Sequence, residues 1–546
     1  MRERQDLPED SGTWVAEVRL WKRIPRAGRV RHARSARRTR WPKHLRWCHR
    51  ARVARSVPTR LQRSRSDARP RNPRAELGPG SYAATRHEGR RLSTAPAAWR
   101  VELRALLALS APVMVVQVGL YAMGAVDAAF MGRVSAAEFG AVALGHAFSF
   151  TLLGFAMGTL AALDPIVSQA HGANEPEAIA RALQRGVVLA LALSALVSAV
   201  FVFTEPLLRL FGQPEDVVPH ASAFVRVSIA GVPGFLLFVA QRQVLQATQR
   251  LRPLVFVILC ANALNAALDW VLIRGHLGAP ALGAVGCAWA TVIARWTLAL
   301  LVPLVAGSEH LRRLWPPRAG WWSPAAFART LHVGLPIGLS FALEIGAFAC
   351  VLVFMGRLGV RELAAHQVVM TMASASFMLP LSIAMAASVR VGHAIGRGDG
   401  PGVRLAAKSA LALGAGVMSL MGALFVLVPG PLARLVTALP EVLALAVTLL
   451  PIAGAFQVFD GIQGVALGCL RGMADTRVPL VIHLVGFWGV AIPMSAWLGL
   501  GCGLGARGLW WGLAIGLALV ALVQVARVRA RLRSGVARLV IEEHGR

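Results

Sequence analysis

From Val101 onward the chain alternates long apolar stretches with short polar breaks. Apolar spans lie near 105–130, 139–165, 186–204, 221–241, 253–273 and 284–305. A polar break follows, with Glu309, Arg312, Arg313, Arg318 and the Trp321-Trp322 pair. Six more spans lie near 331–355, 362–389, 406–428, 442–467, 479–500 and 509–526. Each is long enough to cross a hydrocarbon core of about 30 Å as a helix. A backbone inside lipid must satisfy its own hydrogen bonds, so helices are expected throughout.

The second set of spans echoes the first. Adding 224 to a first-half number aligns Pro112 with Pro336, and Phe130-Met131-Gly132-Arg133 with Phe354-Met355-Gly356-Arg357. The register holds without a gap through Glu138 and Glu362 to Gly172 and Gly396. A later echo pairs 283–290 with 505–512, just before the last span of each half. Six spans per half is an even number, so the copies lie the same way up and their axis runs along the membrane normal. The expected fold is therefore an all-α polytopic membrane protein of about twelve transmembrane helices in two pseudo-symmetric six-helix bundles. These bundles are placed at 100–306 and 331–527, with a cytoplasmic linker at 307–330 and a basic cytoplasmic tail at 528–546.

Composition agrees with a bilayer. Hydrophobic residues make up 56% of the chain, the mean hydropathy is +0.56, and only 16% of residues are charged. Soluble domains carry roughly 25% charge, so this chain cannot cover a water-facing surface. The net charge of +31 resembles a nucleic-acid signal until it is located. Residues 1–100 hold 27 Lys+Arg against 8 Asp+Glu, so most of the excess belongs to a tail. Residues 1–95 form a basic extension without apolar periodicity, expected to be disordered alone. Four readings of it stand: a translation start set too far upstream, a basic arm on anionic lipid, an Arg-rich targeting peptide, or a nucleic-acid-binding arm. For the chain as a whole no nucleic-acid partner is expected.

Arginine placement predicts the orientation. Arg181, Arg185, Arg242, Arg250, Arg252, the Arg312–Arg329 group, Arg390, Arg397, Arg404, Arg471, Arg477 and the tail fall in one set of loops. The positive-inside rule puts these loops and both termini in the cytoplasm. The predicted location is the cytoplasmic (inner) membrane, multi-pass.

Acids inside apolar spans carry the functional argument: Asp127, Asp269, Glu344 and Asp460. A charge at a helix centre costs on the order of 2.5–3.5 kcal/mol, and such residues mark ion pathways. No Lys or Arg lies near Asp127, Glu344 or Asp460 in the same span, and Arg274 is a loose partner for Asp269 at best. Desolvation favours the neutral carboxyl, so these groups suit proton uptake and release, or binding of a monovalent cation. The structural alternative is a protonated acid bonded to a neighbouring helix. Asn262, Asn265 and Asp269 share one helix face. Pro112 and Pro336, at matching depths in the first span of each half, remove a backbone hydrogen bond and permit a hinge, though kinks also serve packing.

Other signals do not converge. The cysteines form no CxxC pair and read as small apolar fillers. His146, His171, His366 and His393 lack metal-ligand spacing and read as loop or helix-end packing. No nucleophile motif is visible and no GxxxxGK[ST] phosphate loop, so no catalytic residue, no metal centre and no cofactor is expected, and the protein is not expected to be an enzyme.

The stretch AAHQVVMTMASASFMLPLSIAMAASVRVGHAIGRGD at 364–399, with GAVDAAFMGR at 124–133, ALNAALDWVLIRG at 263–275 and CLRGMADTRVPL at 469–480, resembles the multidrug and toxic compound extrusion (MATE) family, of the bacterial multidrug-efflux type. The resemblance covers about 100–530. It implies a V-shaped pair of six-helix bundles and an antiporter that exports organic, often cationic, compounds in exchange for H+ or Na+. By position it implies a first-half ion site of Asp127, Asn265, Asp269 and Thr291, and a second-half site of Glu344 and Asp460. Pro112 matches the family's kink proline. A tyrosine near the second-half acid in some members is Phe456 here, and the long basic N-terminus lies outside the family pattern.

The reading is a secondary active antiporter for small organic cations, surrounded by membrane lipid and expected as a monomer. The alternative is a flippase for lipids or lipid-linked oligosaccharides, for which Arg226 and Arg295 within spans are the caution. An intramembrane enzyme or a scaffold is the third class. The acids do not obey the repeat: Asp127 maps onto Val351 and Glu344 onto Leu120. Two non-equivalent ion sites are therefore expected inside a nearly symmetric frame.

Overall fold

The computed structural model of the protein describes residues 95–539, apart from 214 and 216. The four readings of the basic N-terminal extension lie outside the described residues.

Among the described residues, twelve helical segments are long and apolar enough to cross a membrane. Spans 1 to 6 are Ala98–Met131, Glu138–Gly172, Pro176–Val202, Val218–Ala247, Arg252–Arg274 and Gly283–Ala306. Spans 7 to 12 are Pro324–Leu358, Val360–Gly396, Gly400–Leu427, Pro440–Gly472, Arg477–Gly501 and Gly505–Ser534. The protein is thus an all-α, multi-pass membrane protein of two six-span halves. Large apolar side chains such as Leu196, Leu300, Leu420 and Leu522 are exposed, as suits faces turned to lipid.

Local sequence sets the helix ends. Ser135 accepts a hydrogen bond from the Glu138 amide at 3.1 Å, and Asp399 accepts one from Gly402 at 2.8 Å. Both are N-caps that satisfy orphan amides. Gly275 closes span 5 with φ 74°, a conformation that favours glycine. Helices run through Pro112 and Pro336 without interruption. Spans 4 and 10 outrun their apolar cores. Arg242 and Arg471, read from sequence as loop residues, therefore sit on helices, and Arg242 is only 3% exposed.

The halves meet at the end where span 1 begins and span 12 ends. There the contact is reciprocal under the 224-residue shift. A Cβ on Gly172 would fall 2.3 Å from the His393 carbonyl oxygen, and one on Gly396 would fall 2.1 Å from the Gln169 carbonyl oxygen. Gly172 and Gly396 are repeat mates, as are Gln169 and His393. The side chains reach across to corresponding spans, 10 and 4. Gln169 Nε2 donates to Gly472 O at 2.9 Å, and His393 Nε2 lies 2.7 Å from Ala247 O. Such self-complementarity is the signature of a two-fold contact. Arg390 Nε donates to Glu102 Oε1 at 2.9 Å across the same seam. The tail adds a strap: Arg538 binds the Glu175 carboxylate through both guanidinium amines, and the Leu539 amide donates to Gln169 Oε1 at 2.7 Å.

Candidate functional site

The first-half cluster forms where spans 1, 5 and 6 meet. Asn265 and Asp269 stand one turn apart on span 5, and Cys287 and Thr291 one turn apart on span 6. Helical spacing puts each pair on one face. Asp127, Asn265 and Asp269 are fully buried and Thr291 nearly so. Thr291 Oγ1 donates to Asp127 Oδ2 at 2.9 Å. Donor atoms of Asp127, Asp269 and Cys287 all lie within 4.8 Å of one another. Asp127 Oδ1, both Asp269 oxygens and both amide atoms of Asn265 have no protein partner. Buried polar atoms are nearly always satisfied, so this set calls for a proton, a water or a cation. Two carboxylates this close repel when both are ionised, and a shared proton or bound cation relieves the repulsion.

Two side chains from outside the predicted set complete the cluster. His146 on span 2 places Nε2 3.2 Å from Asp127 Oδ2. Arg295, one turn beyond Thr291, lies over the Phe235 ring at 5.3 Å and reaches Asp127 electrostatically. Asn262, expected on the same face as Asp269, instead donates through Nδ2 to Ile258 O of its own helix at 2.8 Å. Arg274 is exposed at the helix end.

The second-half cluster is built differently. Glu344 on span 7 is half-buried, and its Oε1 accepts from Gln463 Nε2 at 3.2 Å. Asp460 lies one turn before Gln463 on span 10, buried, with Oδ1 unpartnered, and the two carboxylates act on each other electrostatically. Phe456, a further turn back, packs between Phe348 (6.1 Å) and Trp510 (5.6 Å) and offers no oxygen. The Arg471 guanidinium lies over Phe341 at 4.9 Å and within electrostatic reach of Glu344.

A fifth intramembrane acid escaped the sequence reading. Asp164, on span 2, is buried against Ser388, its own repeat mate, within electrostatic reach of Arg471 and Arg242. Arg242 in turn donates to Gln117 on span 1. The signal was available, since Asp164 lies inside the apolar stretch 139–165. His146 lies in the same apolar stretch, but its partner is on another span, so its lack of metal-ligand spacing pointed to loop or helix-end packing instead.

This fold and these clusters define a duplicated multi-pass membrane protein with a cluster of acidic side chains inside each half. The MatE family profile matches the chain twice, at residues 112–271 and 336–497, beginning on the repeat-related prolines. The chain belongs to the MATE family. It is 35% identical over 429 residues to the probable multidrug resistance protein NorM of Burkholderia pseudomallei, covering 77% of this chain and 91% of that one. A probable NorM of Rhizobium meliloti is 34% identical over 434 residues, covering 78% and 92%. Among solved structures, the eukaryotic MATE transporter AtDTX14 superposes with a TM-score of 0.71 at 20% identity, over 80% of this chain and all of that one. An outward-facing multidrug resistance MATE transporter of the MOP superfamily gives 0.71 at 19% identity, over 79% and 96%. Family membership places the protein among transporters, not enzymes.

Proposed function

We propose that the protein is a multidrug exporter of the cytoplasmic membrane, a secondary antiporter that expels amphipathic organic cations in exchange for H+ or Na+ by alternating access. The observation that carries this reading is the pair of carboxylate clusters, one per half, in which Asp127 Oδ1, both Asp269 oxygens and Asp460 Oδ1 are buried without a protein donor. Asp127, Asn265, Asp269 and Thr291 hold the coupling ion in the first half, and Glu344 and Asp460 in the second. The relatives' names, multidrug resistance protein, support drugs as cargo. With both termini cytoplasmic, the reciprocal seam is the closed cytoplasmic gate, and the halves 100–306 and 331–527 rock about it with Pro112 and Pro336 as hinges.

The test is flux of a fluorescent organic cation from proteoliposomes under separately imposed proton and sodium gradients. Export should follow one of the two gradients and collapse without it. Export indifferent to both gradients would end the antiport reading. Flipping of lipids or lipid-linked oligosaccharides is the alternative, and the buried Arg242 with the half-buried Arg295 and Arg471 are the observation on its side. Scrambling of an anionic lipid analogue, with no flux of organic cations, would establish it.

A further inference from the structure

We propose that His146 is the proton relay of the first-half site, carrying protons between its accessible face and the Asp127 carboxylate. This rests on the reading of Asp127 as a coupling group. A fully sealed carboxylate needs a route for its proton. Asp127 is 0% exposed, whereas the His146 side chain is 30% exposed, and its buried Nε2 lies 3.2 Å from Asp127 Oδ2, in close approach but without a formed hydrogen bond. The imidazole thus spans from accessible surface to the carboxylate.

Local packing holds the ring there. A Cβ on Gly145 would come within 2.6 Å of Phe224 Cδ1, so spans 2 and 4 approach closely beside the histidine. The Phe224 ring then lies 5.0 Å from the imidazole, tilted at 60°. Span 4 carries His220 one turn before Phe224, paired with Glu138, and Arg226 two residues after it, paired with Glu205 at 2.6 Å. Across from it stand Asp127 on span 1, Asp269 on span 5, and Cys287 and Arg295 on span 6. Span 7, also packed on span 2, carries Glu344, which is bonded to Gln463. Farther along span 2, Glu138 is paired with His220 at 3.1 Å.

The step balances as a proton transfer. Nδ1 takes a proton from water at the accessible edge of the ring to give imidazolium. The Nε2 proton passes to Asp127 Oδ2, leaving a neutral imidazole and a neutral carboxyl group. Tautomer exchange or ring rotation resets the histidine. Thr291 already donates to Oδ2, so the incoming proton and the hydroxyl compete for one oxygen. Protonation therefore weakens the tie between spans 1 and 6.

The experiment measures proton-driven flux in proteoliposomes, its pH profile, and substrate binding by fluorescence, for wild type, His146→Ala, His146→Gln and Asp127→Asn. His146→Ala should bind substrate normally but lose about tenfold or more of its flux, and added imidazole should restore most of it. His146→Gln should keep binding and lose flux, with a flattened pH profile. Where the alanine variant fails to bind substrate, the glutamine variant alone decides. Wild-type flux and pH profile in either binding-competent variant overturns the relay. So does a loss in His146→Ala that imidazole leaves untouched and glutamine restores, since that pattern marks a hydrogen bond. If Asp127→Asn transports normally, the coupling role of Asp127 itself fails. If it does not, while His146→Ala does, only the relay fails.

Discussion

Gly172 and Gly396 are repeat mates and make the same contact from opposite sides of the seam. Asp127 and Glu344 also lie on repeat-related spans, yet share neither register nor neighbours. Asp127 is fully sealed, hydroxyl-bonded and faced by a second aspartate and a histidine. Glu344 is half-buried, amide-bonded and within reach of an arginine. The difference shows which features a duplication must keep. A backbone-to-backbone seam tolerates no added atom, so both copies keep glycine. A carboxylate needs only an apolar span and a partner on a neighbouring helix, so each half is free to place its own.

The largest expected effect follows from that asymmetry. Asp127→Asn and Asp269→Asn should each reduce ion-driven export by roughly a hundredfold, and the double variant should be little worse, because the pair shares one ion. Glu344→Gln and Asp460→Asn should behave alike as a second pair. Losses across the two pairs should multiply, and each pair should change the ion dependence in its own way. Initial rates under proton and sodium gradients measure this. Identical changes in ion dependence from both halves would remove the distinction between the sites.

The spans, the duplication and the acids of the two clusters were legible in the sequence, because each is a one-dimensional signal. Apolar length, a fixed offset and a charge in an apolar run need no knowledge of neighbours. The surroundings of those acids were not legible. A search for cations in the same span finds none beside Glu344, yet Arg471 approaches it from span 10. Gln463 reaches Glu344 across 119 positions of chain. His146 and Cys287 became site residues only when spans 2 and 6 were folded against spans 1 and 5. Helix ends failed for a related reason. Arg242 and Arg471 look like loop residues by charge, but buried partners hold them on helices.

A pH effect on the scaffold must be kept apart from one on the carboxylates. His310, on the segment joining the halves, is buried, with Nε2 3.4 Å from Gln241 Oε1. Burial first, and the charges of Arg313 and Arg250 next, push its pKa down from 6.5 to about 4. The unfolded segment therefore binds the extra proton between those values. The contribution to stability is complete above pH 6.5 and is lost as pH falls towards 4, by at most about 3 kcal/mol. Thermal unfolding of wild type and His310→Gln should diverge below pH 6.5 and run parallel above it. Any pH dependence of export above 6.5 then belongs to the clusters, and a divergence there would blur that separation.

The seam offers the opposite test, in which symmetry predicts equality. Gly172→Ala and Gly396→Ala each drive a Cβ into a carbonyl oxygen of the other half. Overpacking of this kind costs about 1–3 kcal/mol, and under the proposed gating the cost falls on the closed state. Both variants should shift the population towards an open seam, by similar amounts, as read from spin-label distances between Gln249 and Arg397. Unequal shifts would show that the reciprocity is geometric only.

The smallest effect concerns the tail, where the seam is least symmetric. Arg538 and Glu175 are both partly exposed, with side chains 33% and 42% accessible, so their ion pair contributes roughly 0.2–1 kcal/mol. The strap matters more through Gln169, whose amide binds the tail by Oε1 and Gly472 by Nε2. It has no counterpart in the second half, where His393 makes the reciprocal contact with an imidazole. Arg538→Ala should leave the Gln169–Gly472 bond in place and open the seam by less than about fivefold, with export nearly unchanged. Gln169→Ala removes both bonds and should open it further than Arg538→Ala does. An Arg538→Ala effect as large as that of Gln169→Ala would make the tail part of the gate and not a brace upon it.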